Sequence, residues 1–98
     1  MKNNEIVKIF REISYLIQIA EKDPNTIYKV RAYDKAADVI ENLSLSIEEI
    51  YLKDGIQGLR KIPSVGNAIS SKIEELIKSN KIAYREELKR KIPIRISE

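Results

Sequence analysis

The chain has 98 residues, 43% hydrophobic and 34% charged, with a formal net charge of +3 and a pI near 9.1. That length holds one domain with a single core and no second lobe, and no apolar run approaches the roughly 18 residues of a membrane span. Cysteine and histidine are both missing, which excludes disulfides, thiolate or imidazole zinc sites, and catalysis by either side chain.

The first segment predicts an amphipathic helix over 4–22. Ile6, Ile9, Phe10, Ile13, Leu16, Ile17 and Ala20 recur at steps of three and four, with Lys8, Arg11, Glu12 and Gln18 opposite. Asn3 or Asn4 is expected to cap it, and Asp23-Pro24-Asn25 to end it. A second helix over 28–43 carries Val30, Tyr33, Ala36, Ala37, Ile40 and Leu43 on one face, the paired alanines allowing another helix to come close. Ser46 and Glu49 have capping-box spacing and open a short helix over 46–53. Asp54-Gly55 turns the chain into a brief helical piece over 56–61. After Pro63-Ser64-Val65-Gly66, Asn67 is placed to cap a helix over 67–79 whose Ile69, Ile73, Leu76 and Ile77 face inward. Asn80 suits a left-handed C-terminal position, and a last, mostly charged helical piece over 84–91 stops before Pro93.

No strand pattern or fixed-period repeat is legible. The expected fold is therefore all-α, a compact four-helix domain over residues 1–93, with 94–98 the start of a truncated continuation. Ile9, Phe10, Ile13, Ile17, Ala36, Ile40, Ile69, Ile73 and Leu76 are expected to be buried together. The N-terminus lacks the apolar stretch of a signal peptide, so a cytoplasmic location is expected. The mildly basic balance permits a polyanionic partner without identifying one, and the isoleucine and lysine content points to an AT-rich prokaryotic genome.

The informative stretch is Leu59-Arg60-Lys61-Ile62-Pro63-Ser64-Val65-Gly66-Asn67-Ala68-Ile69-Ser70. Two short helices joined by a tight turn leave the first N–H groups of the second helix unpaired and pointing outward. With the positive end of the helix dipole, those groups suit a phosphate oxygen. Gly66 keeps side-chain bulk away, so a nucleic-acid backbone can approach closely. Such a device reads phosphate rather than base sequence. Taken alone, Pro-x-x-Gly equally well describes a turn that only reverses the chain.

The same stretch resembles the helix-hairpin-helix signature apolar-x-x-apolar-Pro-Gly-apolar-Gly. The surrounding chain is similar to the N-terminal domain of X-family (polymerase beta-like) DNA polymerases. Val30-Arg31-Ala32-Tyr33-Asp34-Lys35-Ala36-Ala37 resembles that family's Arg-Ala-Tyr-x-x-Ala-Ala block. Lys72-Ile73-Glu74-Glu75 resembles its Lys-Ile-x-Glu block, and Ile9-Phe10-Arg11-Glu12-Ile13 its opening pattern. The resemblance spans about residues 5–93 and implies a monomeric DNA-repair module that grips gapped or nicked DNA on the 5′-phosphate side. It implies polymerase domains in cis; no membrane partner is expected, since no apolar run is long enough to span one. It also implies a monovalent cation at the hairpin, sodium or potassium, held by the backbone carbonyls of Arg60, Ile62 and Val65; no other cofactor is required. One departure stands out: the first glycine of Pro-Gly-x-Gly is Ser64 here, at a cost on the order of 1 kcal/mol if that position needs a positive φ.

DNA contacts are expected from Lys29, Arg31, Lys35, Arg60 and Lys61, and from the hairpin residues Ser64, Val65, Gly66, Asn67, Ala68 and Ile69. Glu48, Glu49 and Asp54 mark a side turned away, and Lys89-Arg90-Lys91 a solvated face. In the polymerase beta branch the resemblance further implies a 5′-deoxyribose-phosphate lyase acting through a Schiff-base lysine, which falls at Lys72, with Tyr33 at an active-site tyrosine. Lys72 sits on the flank of the Ile69/Ile73/Leu76 stripe, where its stem packs against apolar atoms. Against that role, Ala68, Ser71, Tyr84 and Tyr28 replace polar or basic residues of the lyase branch. Lys72 is also spaced for a surface ion pair with Glu75, and Tyr33 for a core position with a polar tip. A third reading is a helical domain that binds protein instead of DNA.

Overall fold

The computed structural model describes residues 1–92, which form five helices: α1 (Asn3–Ala20), α2 (Thr26–Glu41), α3 (Ile47–Arg60), α4 (Asn67–Ser79) and α5 (Ala83–Arg90). No strand occurs among the described residues, and the fold is all-α as the periodicity requires. The four expected helices are all present. The two expected short pieces are the second half of α3 and α5. The boundary expected at Pro93 and the continuation over 94–98 lie outside the described residues.

α3 is two helical pieces joined at Gly55, whose backbone (φ 66, ψ −159) breaks the helical path. The kink folds the second piece back so that Gly58 lies against the first. A Cβ at Gly58 would stand 2.7 Å from the Asp54 Cβ and 3.1 Å from an Ile50 methyl. Asn80 closes α4 in the left-handed conformation expected of it (φ 62), its N–H donating to the Leu76 carbonyl at 2.8 Å.

The helix starts differ from expectation in instructive ways. Neither Asn3 nor Asn4 caps α1, whose N-cap is Lys2. Asn3 instead reaches across the fold: its Nδ2 donates to the Leu45 carbonyl at 2.8 Å, and its Oδ1 accepts the Ile47 N–H at 2.9 Å. It therefore caps α3, whose Ser46 also accepts the Glu49 N–H at 3.2 Å. α1 ends at Ala20, and α2 begins at Thr26 instead of 28. Asp23 Oδ1 accepts the Asn25 N–H at 2.8 Å and so turns the chain two residues early.

Eight of the nine expected core residues are buried: Phe10, Ile13, Ile17, Ala36, Ile40, Ile69, Ile73 and Leu76. Ile9 is the exception. It is half-buried at the edge of the core, because α1 turns Ile6, Phe10, Ile13 and Ile17 to the centre. α1 packs along α2 and against α5, while α3 packs on α4, which also touches α2. Ala36 and Ala37, both fully buried, sit on the inner face of α2. Arg85 ties α5 to α1 with a two-pronged contact to Glu12, at 2.7 Å from Nε and 3.1 Å from the terminal nitrogen.

Candidate nucleic-acid interface

Between α3 and α4 the chain reverses through a turn anchored by Ile62 and Val65, which are 8% and 2% exposed. The Val65 N–H donates to the Ile62 carbonyl at 3.1 Å. Val65 thus anchors the turn and offers no free amide to a ligand. Pro63 and Ser64 project outward, and Ser64 adopts φ 67, the left-handed region that glycine occupies without penalty. The serine therefore stands where the backbone favours glycine.

Gly66 has an extended backbone (φ −89, ψ −161) and is the N-cap of α4. A Cβ placed on it meets nothing within 4 Å. Neither its dihedrals nor the packing of this chain requires a glycine there, and what a side chain would obstruct is approach from outside. Asn67 does not cap α4 as expected; it is the first helical residue, and no side chain caps the helix. The first main-chain bond of α4 runs from the Ser70 N–H to the Gly66 carbonyl at 2.9 Å. The N–H groups of Asn67, Ala68 and Ile69 precede it and have no acceptor within the helix.

Arg60 lies over this turn. Its Nε donates to Ser70 Oγ at 3.2 Å, and that hydroxyl donates to the Asn67 carbonyl at 3.0 Å. Ser70 is fully buried, so Arg60 is pinned beside the start of α4, while Lys61 is exposed next to it. Among the described residues the carbonyls of Arg60 and Val65 accept no backbone N–H, while that of Ile62 accepts one. All three keep lone pairs that a hard cation could use.

A cavity of about 270 Å³ adjoins the same turn of α4, lined by Lys29, Ala32, Tyr33, Ala68, Ile69, Lys72 and Tyr84. Both lysines approach Tyr84, with Lys29 Nζ and Lys72 Nζ each 5.8 Å from its ring centroid. Its ring stacks on Tyr33 at 6.4 Å, and Tyr33 meets Phe10 edge-on at 5.3 Å. The Tyr84 hydroxyl donates to Glu21 Oε2 at 2.8 Å, and Lys29 Nζ donates to Glu21 Oε1 at 3.0 Å. Burial pushes the Glu21 carboxyl up, but the bonds from Lys29 and Tyr84 outweigh it and hold the group below its ordinary value. Burial, and then the charges of Glu75 and Glu21, push the Tyr33 phenol up to about 12. Burial and the bond to Glu21 raise that of Tyr84. Both phenols are neutral at ordinary pH, donors rather than bases.

Lys29, Tyr33 and Lys72, at positions that resemble the phosphate-binding lysine, tyrosine and nucleophile of the lyase branch, meet in one cavity. Arg31 and Lys35 do not line it; both are exposed on α2. The Lys72–Glu75 pair that the spacing allows does not form. Glu75 Oε2 accepts the Ala83 N–H at 2.7 Å instead, and among the described residues no carboxylate lies within 4 Å of Lys72. Glu21 and Tyr84 are the residues that sequence reasoning missed. Tyr84 read only as a lost lysine, and Glu21 is joined to it across 63 positions, a separation at which no periodicity reports. Domains described as helix-hairpin-helix have a family model that matches residues 1–82, from α1 through the turn and α4. No curated protein matches the chain.

Proposed function

The chain belongs to the helix-hairpin-helix domain family, whose members generally bind nucleic acid, and we propose that it grips the DNA backbone without reading sequence, on the 5′-phosphate side of a gap or nick. The observation that carries this reading is the uncapped start of α4, where three amides have no acceptor within the helix and the space beside Gly66 is open. Arg60 and Lys61 flank that point, and Lys29 and Lys72 offer a second cationic point at the adjoining cavity. Arg31 and Lys35 extend the basic surface along α2. A monovalent cation would be held by the carbonyls of Arg60, Ile62 and Val65, where it supplies positive charge beside a phosphate.

The three sequence blocks that resemble X-family polymerases support a role as the N-terminal module of such an enzyme in DNA repair, with synthesis left to other domains. Fluorescence anisotropy on gapped duplexes carrying a 5′-phosphate or a 5′-hydroxyl, and on intact duplex, tests the reading. The gapped 5′-phosphate duplex binds tightest, and log K falls with log salt at a slope of roughly −3 to −4 if about 3–5 phosphates are neutralised. Gly66→Val removes most of the preference with the fold retained. Equal affinity for that variant would sink the hairpin reading, and a flat salt dependence would favour a protein-binding module.

A second reading, 5′-deoxyribose-phosphate lyase chemistry, draws on the cavity itself. Lys72 Nζ lies over an aromatic ring, with a lysine and a neutral phenol nearby to hold a sugar-phosphate. Ala68 and Tyr84 stand where the lyase branch has basic residues, so β-elimination is expected to be slow. Borohydride trapping with an incised abasic duplex gives an adduct that Lys72→Ala abolishes, while the variant still binds DNA through the hairpin and the remaining cations. No wild-type adduct at saturating DNA would leave a DNA clamp only.

A further inference from the structure

We propose that Glu21 is the positioning residue of the cavity, holding Lys29 and Tyr84 in the arrangement that captures a terminal phosphate; this rests on the reading that the cavity receives the 5′-phosphate of a gap. Glu21 is the residue on which α1 ends, in an extended conformation (φ −117, ψ 133). Its carboxylate gathers one group from α2 and one from α5, the Lys29 ammonium at 3.0 Å and the Tyr84 hydroxyl at 2.8 Å. Three helices therefore converge on one side chain.

Burial decides how this carboxylate behaves when an anion arrives. The Glu21 side chain is 12% exposed and that of Lys29 is 50% exposed. A nearly buried carboxylate stripped of its partners is strongly disfavoured, so a ligand does not displace Glu21 from Lys29. It does not need to, because an ammonium carries three donors. One is spent on Glu21, which leaves two for a phosphate and fixes the direction of the lysine stem.

The same carboxylate fixes Tyr84. Held at its hydroxyl and stacked on the buried Tyr33, the ring cannot swing away. Lys29 and Lys72 each lie 5.8 Å from its centroid, where the ring quadrupole attracts both and offsets their mutual repulsion. Two cations are thereby kept at one cavity before any anion binds. Glu21 also subtracts a positive charge from a surface that meets DNA, so its two effects oppose each other: orientation favours a terminal phosphate, while charge disfavours every phosphate.

That opposition supplies the test. Anisotropy is measured for wild type, Glu21→Ala, Glu21→Gln and Tyr84→Phe on gapped duplexes with a 5′-phosphate or a 5′-hydroxyl, with thermal melting to confirm folding. Glu21→Ala binds the 5′-hydroxyl duplex as well as wild type or better, yet its preference for the 5′-phosphate falls on the order of fivefold. Glu21→Gln keeps an acceptor and retains more of the preference than the alanine variant. Tyr84→Phe, which loses only the hydroxyl, shows a smaller fall of the same sign. An unchanged or larger preference in Glu21→Ala overturns the proposal, as does a glutamine variant no better than alanine. If the alanine variant fails to fold, an unchanged preference in Tyr84→Phe overturns it instead. A wild type with no 5′-phosphate preference sinks the parent reading and this proposal together. A wild-type preference that survives in Glu21→Ala sinks this proposal alone.

Discussion

At the scale of single residues, Ser64 carries the clearest local strain. Its φ of 67 places a side chain in the left-handed region, which disfavours serine by on the order of 1 kcal/mol relative to glycine. The side chain is exposed on the outer edge of the turn, so its removal leaves no cavity. Ser64→Gly is therefore expected to stabilise the domain by about 0.5–1 kcal/mol, the lower end reflecting the extra freedom glycine gives the unfolded chain. For a domain of this size that is a rise of a few degrees in melting temperature. A fall in melting temperature would mean that the hydroxyl makes a contact that outweighs the strain. Gly66, two residues on, is the reverse case, a glycine in an extended conformation that serine or alanine could adopt.

At the scale of helices, the start of α3 depends on a residue from a different helix. Asn3 caps α3 through the Ile47 N–H and holds the preceding loop through the Leu45 carbonyl. Asn3→Ala leaves both groups without their partner and is expected to destabilise by about 1–2 kcal/mol. Asn4→Ala, at an exposed position beside it, should change stability by less than about 0.5 kcal/mol. Urea unfolding of the two variants checks the difference; equal effects would refute the capping role. This pair also shows what the sequence could and could not disclose. Apolar spacing is local, so the helices, Asn80 and most of the core were legible. Asn3 was legible as a cap, but of the wrong helix, because its partner lies 44 positions away. Ile9 was misread because a 3.6-residue period defines a stripe and not its centre line. Tyr33 and Lys72 could be named from their blocks and Lys29 from its place beside one, whereas Glu21 meets Tyr84 only after α5 has packed against α1.

At the scale of the whole molecule, the turn and the cavity are one continuous feature. Ala68 and Ile69 contribute both to the uncapped start of α4 and to the lining of the cavity. Arg85, bonded to Glu12, keeps α5 and hence Tyr84 docked against α1 on the far side of that cavity. Gly66→Asp tests how stability and binding trade against each other here. An aspartate caps the helix itself and complements its dipole, raising stability by about 0.5–1 kcal/mol. The same carboxylate occupies the amides and repels DNA, lowering affinity on the order of tenfold or more. Melting and anisotropy should move in opposite directions; a variant that gains stability and keeps its affinity would show that phosphate docks elsewhere.

The uncapped start of α4 has a consequence for the free domain as well. At this helix start the N–H groups of Asn67, Ala68 and Ile69 have no acceptor within the helix and no side chain caps them. Nucleic acid that supplies the missing acceptor finishes a structural element in the act of binding. Occupancy and unfolding are then linked by mass action, and the melting temperature becomes a reporter of how many molecules are on DNA. The first turn of α4 should exchange its amide hydrogens quickly in the free protein and slowly in the complex, while the buried heart of the same helix changes little.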